Sequence, residues 1–133
     1  MMLSPAWQHA PRPLRRILER LEIEHLRHGA QNNGELFVSF GQFVEYGVSR
    51  RSIRPTLELG EALGLLQVTR PHENISDIRP PNAYRLTYVE AKGSAAAPTD
   101  EWKSVNIERT LSLIGRFKSE EKAAATATRK AAA

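Results

Sequence analysis

Residues 43–70 read FVEYGVSRRSIRPTLELGEALGLLQVTR, and this stretch sets the fold prediction for the whole chain. Gly47 ends one apolar segment, and Ser49 is a residue type that favours the N-cap of a helix. Apolar residues then recur at helical spacing, which predicts a helix over 49–63 followed by a strand over 65–70. The inward stripe of that helix consists of Ile53, Leu57, Gly60 and Leu63.

Pro55 is unusual inside this predicted helix. A proline in a helix interior removes a backbone hydrogen bond and costs about 3 kcal/mol. If Ser52 is the cap in place of Ser49, Pro55 falls in the first turn, where that cost largely disappears. We therefore expect either a late helix start at Ser52 or a kink near Pro55.

Two further helices and a short strand are predicted upstream. The first helix covers 13–28, and its apolar stripe is Leu14, Ile17, Leu18 and Leu21. A short strand is expected over 36–38. Ser39 then begins the second helix, with Gln42 placed for a capping box. The buried side of this second helix is predicted to be Phe40, Phe43 and Val44.

The downstream region is predicted to form a hairpin and one more helix. Residues 84–89 alternate as a half-buried strand, and a polar loop of about a dozen residues separates them from the strand over 65–70. We divide the chain into an N-terminal arm (1–12), a folded domain (13–91), a linker (92–100), a helix (101–118) capped by Thr99 or Asp100, and a disordered basic and alanine-rich tail (119–133). Beyond Lys122 the chain is expected to be disordered or weakly helical.

The C-terminal helix has an apolar seam that suits either a partner helix or its own domain. Two readings stay open: dimerisation through this helix, or packing back beside the helix over 13–28. Trp102 is the expected anchor in both, because a large aromatic side chain buries much apolar area. The candidate dimerisation residues are Trp102, Ile107, Leu111, Ile114 and Phe117.

The order helix, short strand, helix, tight turn, helix, strand, long loop, strand resembles the bacterial winged helix-turn-helix superfamily. Residues 43–55 and 57–70 carry the resemblance, which covers about residues 13–89. Small regulators and the DNA-binding parts of plasmid replication initiators have similar short winged helices. The resemblance implies that the helix over 49–63 enters the major groove and that the hairpin over 70–85 is the wing. Pro55 and Gly60 depart from the usual pattern, the latter because a longer side chain is usual there.

The helix over 49–63 also carries charge suited to DNA. No acidic residue lies between Tyr46 and Leu57, and the first turns present three arginines at the positive end of the helix dipole. Glu58 and Glu61 follow later, so the N-terminal half is expected to enter the groove. The alternative is an ordinary solvated basic face. The candidate DNA-binding residues of this helix are Ser49, Arg50, Arg51, Ser52 and Arg54.

The hairpin supplies a second set of candidates. Its polar and cationic residues are placed to contact backbone phosphate or the minor groove, although a purely solvated loop explains them equally well. These candidates are Arg70, His72, Arg79, Asn82 and Arg85.

Composition narrows the function classes. The 133 residues carry a net charge of +4, and much of the excess lies in the C-terminal region, so residues 1–91 are close to neutral. No cysteine is present, which excludes disulfides and thiolate metal sites. The N-terminus lacks the pattern of a secretory signal, and no apolar run approaches the ~20 residues that span a bilayer. We expect a soluble, cytoplasmic, nucleoid-associated protein.

Catalytic and metal-binding patterns are weak. His25 and His28 have a spacing that can hold a metal, but no partner set completes a site, and we interpret both as surface histidines. Neither a nucleophile elbow nor a glycine-rich phosphate loop is present. We expect no enzyme activity, no metal or other cofactor, and no identifiable small-molecule ligand.

The preferred hypothesis is a sequence-specific DNA-binding protein that regulates transcription as a homodimer on double-stranded DNA. One alternative is an accessory factor in plasmid or mobile-element replication and maintenance. Another is a winged-helix protein–protein adaptor, which Pro55 and the near-neutral domain charge favour. DNA binding weakens steeply with salt, whereas an adaptor complex persists.

Overall fold

The computed structural model describes residues 3–27, 29, 33–70, 82–89 and 98–132. Most of these residues are helical, and three short strands form one antiparallel sheet, which confirms the predicted α+β class. In chain order the elements are α1 (Pro5–Gln8), α2 (Arg12–Arg27), β1 (Leu36–Phe37), α3 (Phe40–Glu45), α4 (Arg50–Ala62), β2 (Leu66–Thr69), β3 (Ala83–Leu86), a 3₁₀ turn (Glu101–Ser104) and α5 (Ile107–Ala132).

The segment expected to be an N-terminal arm is part of the fold. Ser4 caps α1 by accepting a hydrogen bond from the Trp7 backbone N–H at 3.3 Å, and Ala6 and Ala10 are buried. α1 packs against α5. The Arg15 guanidinium donates to the Trp7 carbonyl at 3.1 Å and ties this segment to α2. The expected boundary at residue 12 therefore does not separate an arm from the domain.

α2 forms the first wall of the core and contacts α4 and the sheet. It starts one residue before the predicted start, and the predicted last residue, His28, lies outside the described residues. The helical spacing of the apolar residues puts them on one side, as expected. The completely buried stripe is Leu14, Ile17, Leu18 and Leu21.

α3 begins with the predicted capping box. Ser39 Oγ accepts from the Gln42 N–H at 3.1 Å, and Gln42 Oε1 accepts from the Ser39 N–H at 2.9 Å. Phe43 is fully buried and meets Tyr84 edge-on, with the ring centroids 5.8 Å apart. Val44, in contrast, is 40% exposed, so its predicted burial is wrong. It lies about 100° around the helix from Phe43 and leaves the face that contacts the core.

α4 begins at Arg50, immediately after Ser49, so of the two alternatives the late start at Ser52 is wrong. Gly47 supplies the positive φ of +99° that the tight turn before it requires. Pro55 therefore lies inside the helix and cannot donate to the Arg51 carbonyl. Arg51 is exposed and Pro55 is half-buried.

α4 is buried along two faces. The predicted inward stripe of Ile53, Leu57 and Gly60 is confirmed, and it packs toward α2. A second buried line, one residue earlier in each turn, consists of Ser52, Thr56 and Leu59. α5 packs along α4, and Ser52 contacts it directly. Only the remaining side of α4 is open to solvent.

The sheet has the strand order β1-β3-β2, and both pairs are antiparallel. The predicted hairpin pairing is confirmed, with Val68 opposite Tyr84. Asn33 is buried beside β3. Its amide donates to the Leu86 carbonyl at 2.8 Å and accepts from the Leu86 N–H at 2.7 Å, as a neighbouring strand would.

The C-terminal helix begins later and ends later than expected. Asp100 does not cap it; Asp100 has φ +48° and precedes the 3₁₀ turn. The indole N–H of Trp102 donates to Asp100 Oδ1 at 2.9 Å and lowers the pKa of that carboxyl. α5 then starts after Asn106, whose Oδ1 accepts from the Arg109 N–H at 2.7 Å.

The tail (119–133), expected to be disordered or, beyond Lys122, weakly helical, is helical through Ala132. Alanine has the strongest helix propensity, and the last dozen residues are rich in it. Over the described residues, no helix combines the length and apolarity needed to cross a membrane.

α5 packs on its own domain, against α4 and α1, and not beside α2 as one reading expected. Ile114 and Phe117 are 4% and 6% exposed and belong to the intramolecular core, so they are unavailable to a partner helix. That corrects the dimerisation seam at two positions. Ile107 and Leu111 remain exposed. Trp102 is half-buried against the core, as an anchor would be.

Candidate nucleic-acid interface

The open side of α4 presents two arginines at its start. Arg50 and Arg54 are exposed, and neither forms an ion pair with another described residue. Both adjoin the helix N-terminus, where unpaired backbone N–H groups and the helix dipole favour an anion. Ser49 is exposed as well, and its side chain makes no capping hydrogen bond, so its hydroxyl stays accessible.

Ser52 faces the protein interior, which corrects its prediction as a DNA contact. It is 3% exposed, and its Oγ donates to Glu121 Oε2 of α5 at 2.6 Å. Arg51 lies beside the same carboxylate, with Nη1 3.8 Å from Glu121 Oε2. The Arg51 side chain keeps 41% exposure, so it is neutralised in part while still reaching solvent.

Glu121 also belongs to this region, although the sequence does not predict it. It lies 69 residues from Ser52 in the chain. A carboxylate beside the first turn of a helix is favoured by the dipole, which accounts for its place at the start of α4. No local pattern around residue 121 indicates this contact, since it depends on how α5 crosses α4.

The later turns of α4 carry the opposite charge. Glu58 is exposed, and Glu61 is half-buried next to β2. Glu61 Oε1 accepts from Arg70 Nη2 at 3.2 Å, and its other oxygen accepts from the Val68 N–H at 3.4 Å. The open side of α4 is thus positive at its beginning and acidic toward its end, as the sequence predicted.

Arg85 has a structural position on the outer side of the hairpin, which corrects its prediction as a free phosphate contact. Its guanidinium donates to Gln67 Oε1 at 2.9 Å, to Glu101 Oε2 at 2.9 Å and to the Thr99 hydroxyl. The side chain is 20% exposed. These bonds tie the hairpin to the segment that leads into α5.

Of the four remaining hairpin candidates, the structure describes two. Arg70 is half-exposed and paired with Glu61, and Asn82 is half-buried at the start of β3. His72 and Arg79 lie in 71–81, outside the described residues.

His25 is 8% exposed, so its interpretation as a surface histidine is wrong. The fully apolar stripe of α2 and His25 share the inner side of that helix. His28, the other half of the candidate pair, lies outside the described residues. Among the residues whose placement is given, no three His, Asp or Glu side chains cluster closely enough to hold a metal ion.

Comparison with protein-family models, with curated proteins and with solved structures gives no match.

Proposed function

We propose that this chain is a winged-helix protein that binds double-stranded DNA and regulates transcription, with α4 in the major groove and the β2–β3 hairpin as the wing. The order α2, β1, α3, α4, β2, β3 and the antiparallel sheet β1-β3-β2 support this proposal. An α-helix fits the width of the major groove, and the open side of α4 is the side that a duplex would meet.

The observation that carries the proposal is the exposed pair Arg50 and Arg54 at the N-terminus of α4. Arginine pairs bidentately with phosphate and with guanine. Among the described residues, these two side chains have no ion pair that would have to break before they bind DNA. Ser49 adds a hydroxyl for phosphate. Arg51 would contribute less to DNA affinity, because a phosphate would have to compete with the Glu121 carboxylate for its guanidinium.

Selection from random-sequence duplex pools at two salt concentrations tests this function. Recovery of a motif whose binding weakens with added salt supports it. Arg50→Ala with Arg54→Ala is expected to lower affinity for that motif at least tenfold, since each good bidentate pair contributes about 1–3 kcal/mol. Arg12→Ala with Arg27→Ala, on exposed positions of α2, removes the same charge and serves as the control. Equal losses in the two variants would contradict the assignment of α4.

A homodimer through α5 would have Ile107 and Leu111 as its exposed apolar residues. A palindromic motif in the selected pool would support such a dimer, because protein two-fold symmetry is mirrored in the operator.

A second candidate is a protein–protein adaptor. The observation that favours it is the pairing of Arg51, Arg70 and Arg85 with carboxylates of the same chain. Three of the predicted DNA contacts are thereby partly neutralised. A complex between an adaptor and its protein partner would persist at salt concentrations that dissociate a protein–DNA complex.

A further inference from the structure

α5 continues well beyond the point where it meets the start of α4. Glu121 contacts Ser52, the third residue of α4. At the other end of α4, Gly64 lies against the backbone of Glu101 and Trp102, just before α5. α5 therefore runs back along α4 in roughly the opposite direction. It then extends eleven residues past Glu121, or about 16 Å at 1.5 Å per residue.

We call residues 122–132 the α5 extension. α4 has two residues before Ser52, which cover about 3 Å, so most of the extension projects past the N-terminus of α4. This is the same end of α4 that presents Arg50 and Arg54. The last residues of α5 and the first arginines of α4 thus belong to one end of the molecule.

The α5 extension is cationic and contains no acid. Its charged residues are Lys122, Arg129 and Lys130, and all three are exposed. The remaining residues are alanine and threonine, and the hydroxyls of Thr126 and Thr128 bond back to the carbonyls of Lys122 and Ala124 at 3.0 and 2.9 Å. The extension has no large apolar side chain to bury on its own domain, so its surface chemistry is that of its three cations.

We infer that the α5 extension is a second DNA-contacting element, whose cations pair with backbone phosphates beside the segment that α4 contacts. This inference rests on the proposed function and adds a partner surface to it. The Ser52–Glu121 hydrogen bond sets the position of the extension relative to α4. Phosphate contacts of this kind orient the protein on the duplex without reading its sequence.

The test compares two variants of the full chain that lose the same charge from α5. Arg129→Gln with Lys130→Gln changes the extension. Arg109→Gln with Arg116→Gln, at exposed positions earlier in the helix, is the matched control. Affinity for a mixed-sequence duplex of about 30 base pairs is measured against salt concentration, because each phosphate contact contributes about 0.9 to the slope of log K against log salt. Thermal unfolding confirms that both variants stay folded.

We expect the extension variant to lose about 1.8 from that slope and at least tenfold in affinity near 0.1 M salt, with the control close to wild type. Equal behaviour of the two variants, or an extension variant that matches wild type, overturns the inference. If Arg50→Ala with Arg54→Ala still weakens binding in that case, the proposed function stands without it. A wild-type chain that shows no salt-dependent DNA binding overturns both.

Discussion

Gly60 and Gly64 disfavour a side chain for different physical reasons. A Cβ on Gly60 would lie 2.9 Å from Leu66 Cδ2 and 3.1 Å from Leu14 Cδ1, both at the ends of flexible side chains. A side chain at Gly60 would therefore require Leu66 and Leu14 to shift, because α4 packs closely on its neighbours there. At Gly64 a Cβ would lie 2.6 Å from the Glu101 carbonyl carbon, and φ is +75°. That position combines backbone contact with a left-handed conformation.

Gly64→Ala is expected to be strongly destabilising. The methyl group meets rigid backbone and the conformation disfavours alanine, so we expect a loss of about 2–4 kcal/mol in the free energy of unfolding. Gly115→Ala is the control, because it lies on the exposed side of α5 with open space around its Cβ position. It should stabilise by about 0.5–1 kcal/mol. Urea unfolding of both variants measures this, and a neutral Gly64→Ala would contradict the tight contact.

Asn33→Ala is expected to weaken the end of β3. Its amide holds both the N–H and the carbonyl of Leu86, and it also donates to the Val89 carbonyl at 3.1 Å. Removal leaves buried backbone groups without those partners, at a cost of about 2–4 kcal/mol. Hydrogen exchange at the Leu86 amide should accelerate more than exchange at amides in α2. Unchanged protection at Leu86 would show that this side chain is dispensable.

At the scale of elements, side-chain hydrogen bonds between segments distant in sequence add to the contacts of the apolar core in joining helices and strands. Tyr88, just after β3, donates its hydroxyl to Glu22 Oε1 of α2 at 2.6 Å. Burial, followed by the bond to Glu22 and its charge, raises the pKa of Tyr88 well above the usual value of 10.0. Ser52 and Glu121 join α4 to α5 in a comparable way.

The Tyr88 contact predicts loss of stability in alkaline solution. A raised folded-state pKa means that the contribution of Tyr88 is fully present below its unfolded pKa and is lost as pH rises above it, since only the unfolded state ionises there. The free energy of unfolding should fall by about 1.4 kcal/mol per pH unit above about pH 10 from this group. Urea titrations near pH 9, 10 and 11 should show a shallower fall for Tyr88→Phe. Tyr46→Phe is the control, and parallel curves for Tyr88→Phe and wild type would contradict the coupling.

For the whole molecule, α5 is a part of the folded domain as well as a projecting element. Thr110, Ile114 and Phe117 are buried in the chain's own core, whereas Lys122, Arg129 and Lys130 are exposed to solvent. The helix therefore has a packed part, which ends near Phe117, and a cationic end, the α5 extension. The same helix fixes the buried side of α4 and so determines which side of α4 is left open.

Phe117→Ala is expected to lower the free energy of unfolding by about 3–5 kcal/mol, because it leaves a cavity between α5 and the domain. This loss should not depend on protein concentration, since the contact is within one chain; a dimer seam would make it concentration-dependent. Leu111→Ala, at a 45% exposed position, should change stability by less than about 1 kcal/mol. Thermal unfolding over a hundredfold range of concentration separates the two cases.

Local sequence patterns determined the elements from α2 to β3, but not α1. Helical spacing placed the buried stripe of α2, the Ser39–Gln42 box started α3, and the period-two alternation of 84–89 indicated the second strand of the hairpin. These signals act between residues a few positions apart, so they are visible without the fold. They also placed three arginines in the acid-free start of α4.

Tertiary structure alone decided which candidate side chains remain accessible. Ser52 is buried where it bonds to Glu121, which lies 69 residues away in sequence. Arg85 is fixed by its hydrogen bond to Glu101, which follows the hairpin in the chain. Asn33 stabilises β3 by bonding to the backbone of Leu86, which lies 53 residues away in sequence. Such contacts depend on the relative placement of whole elements, which the burial of apolar faces sets collectively. A polar side chain's partners therefore follow from packing, whereas its helix or strand follows from its neighbours in sequence.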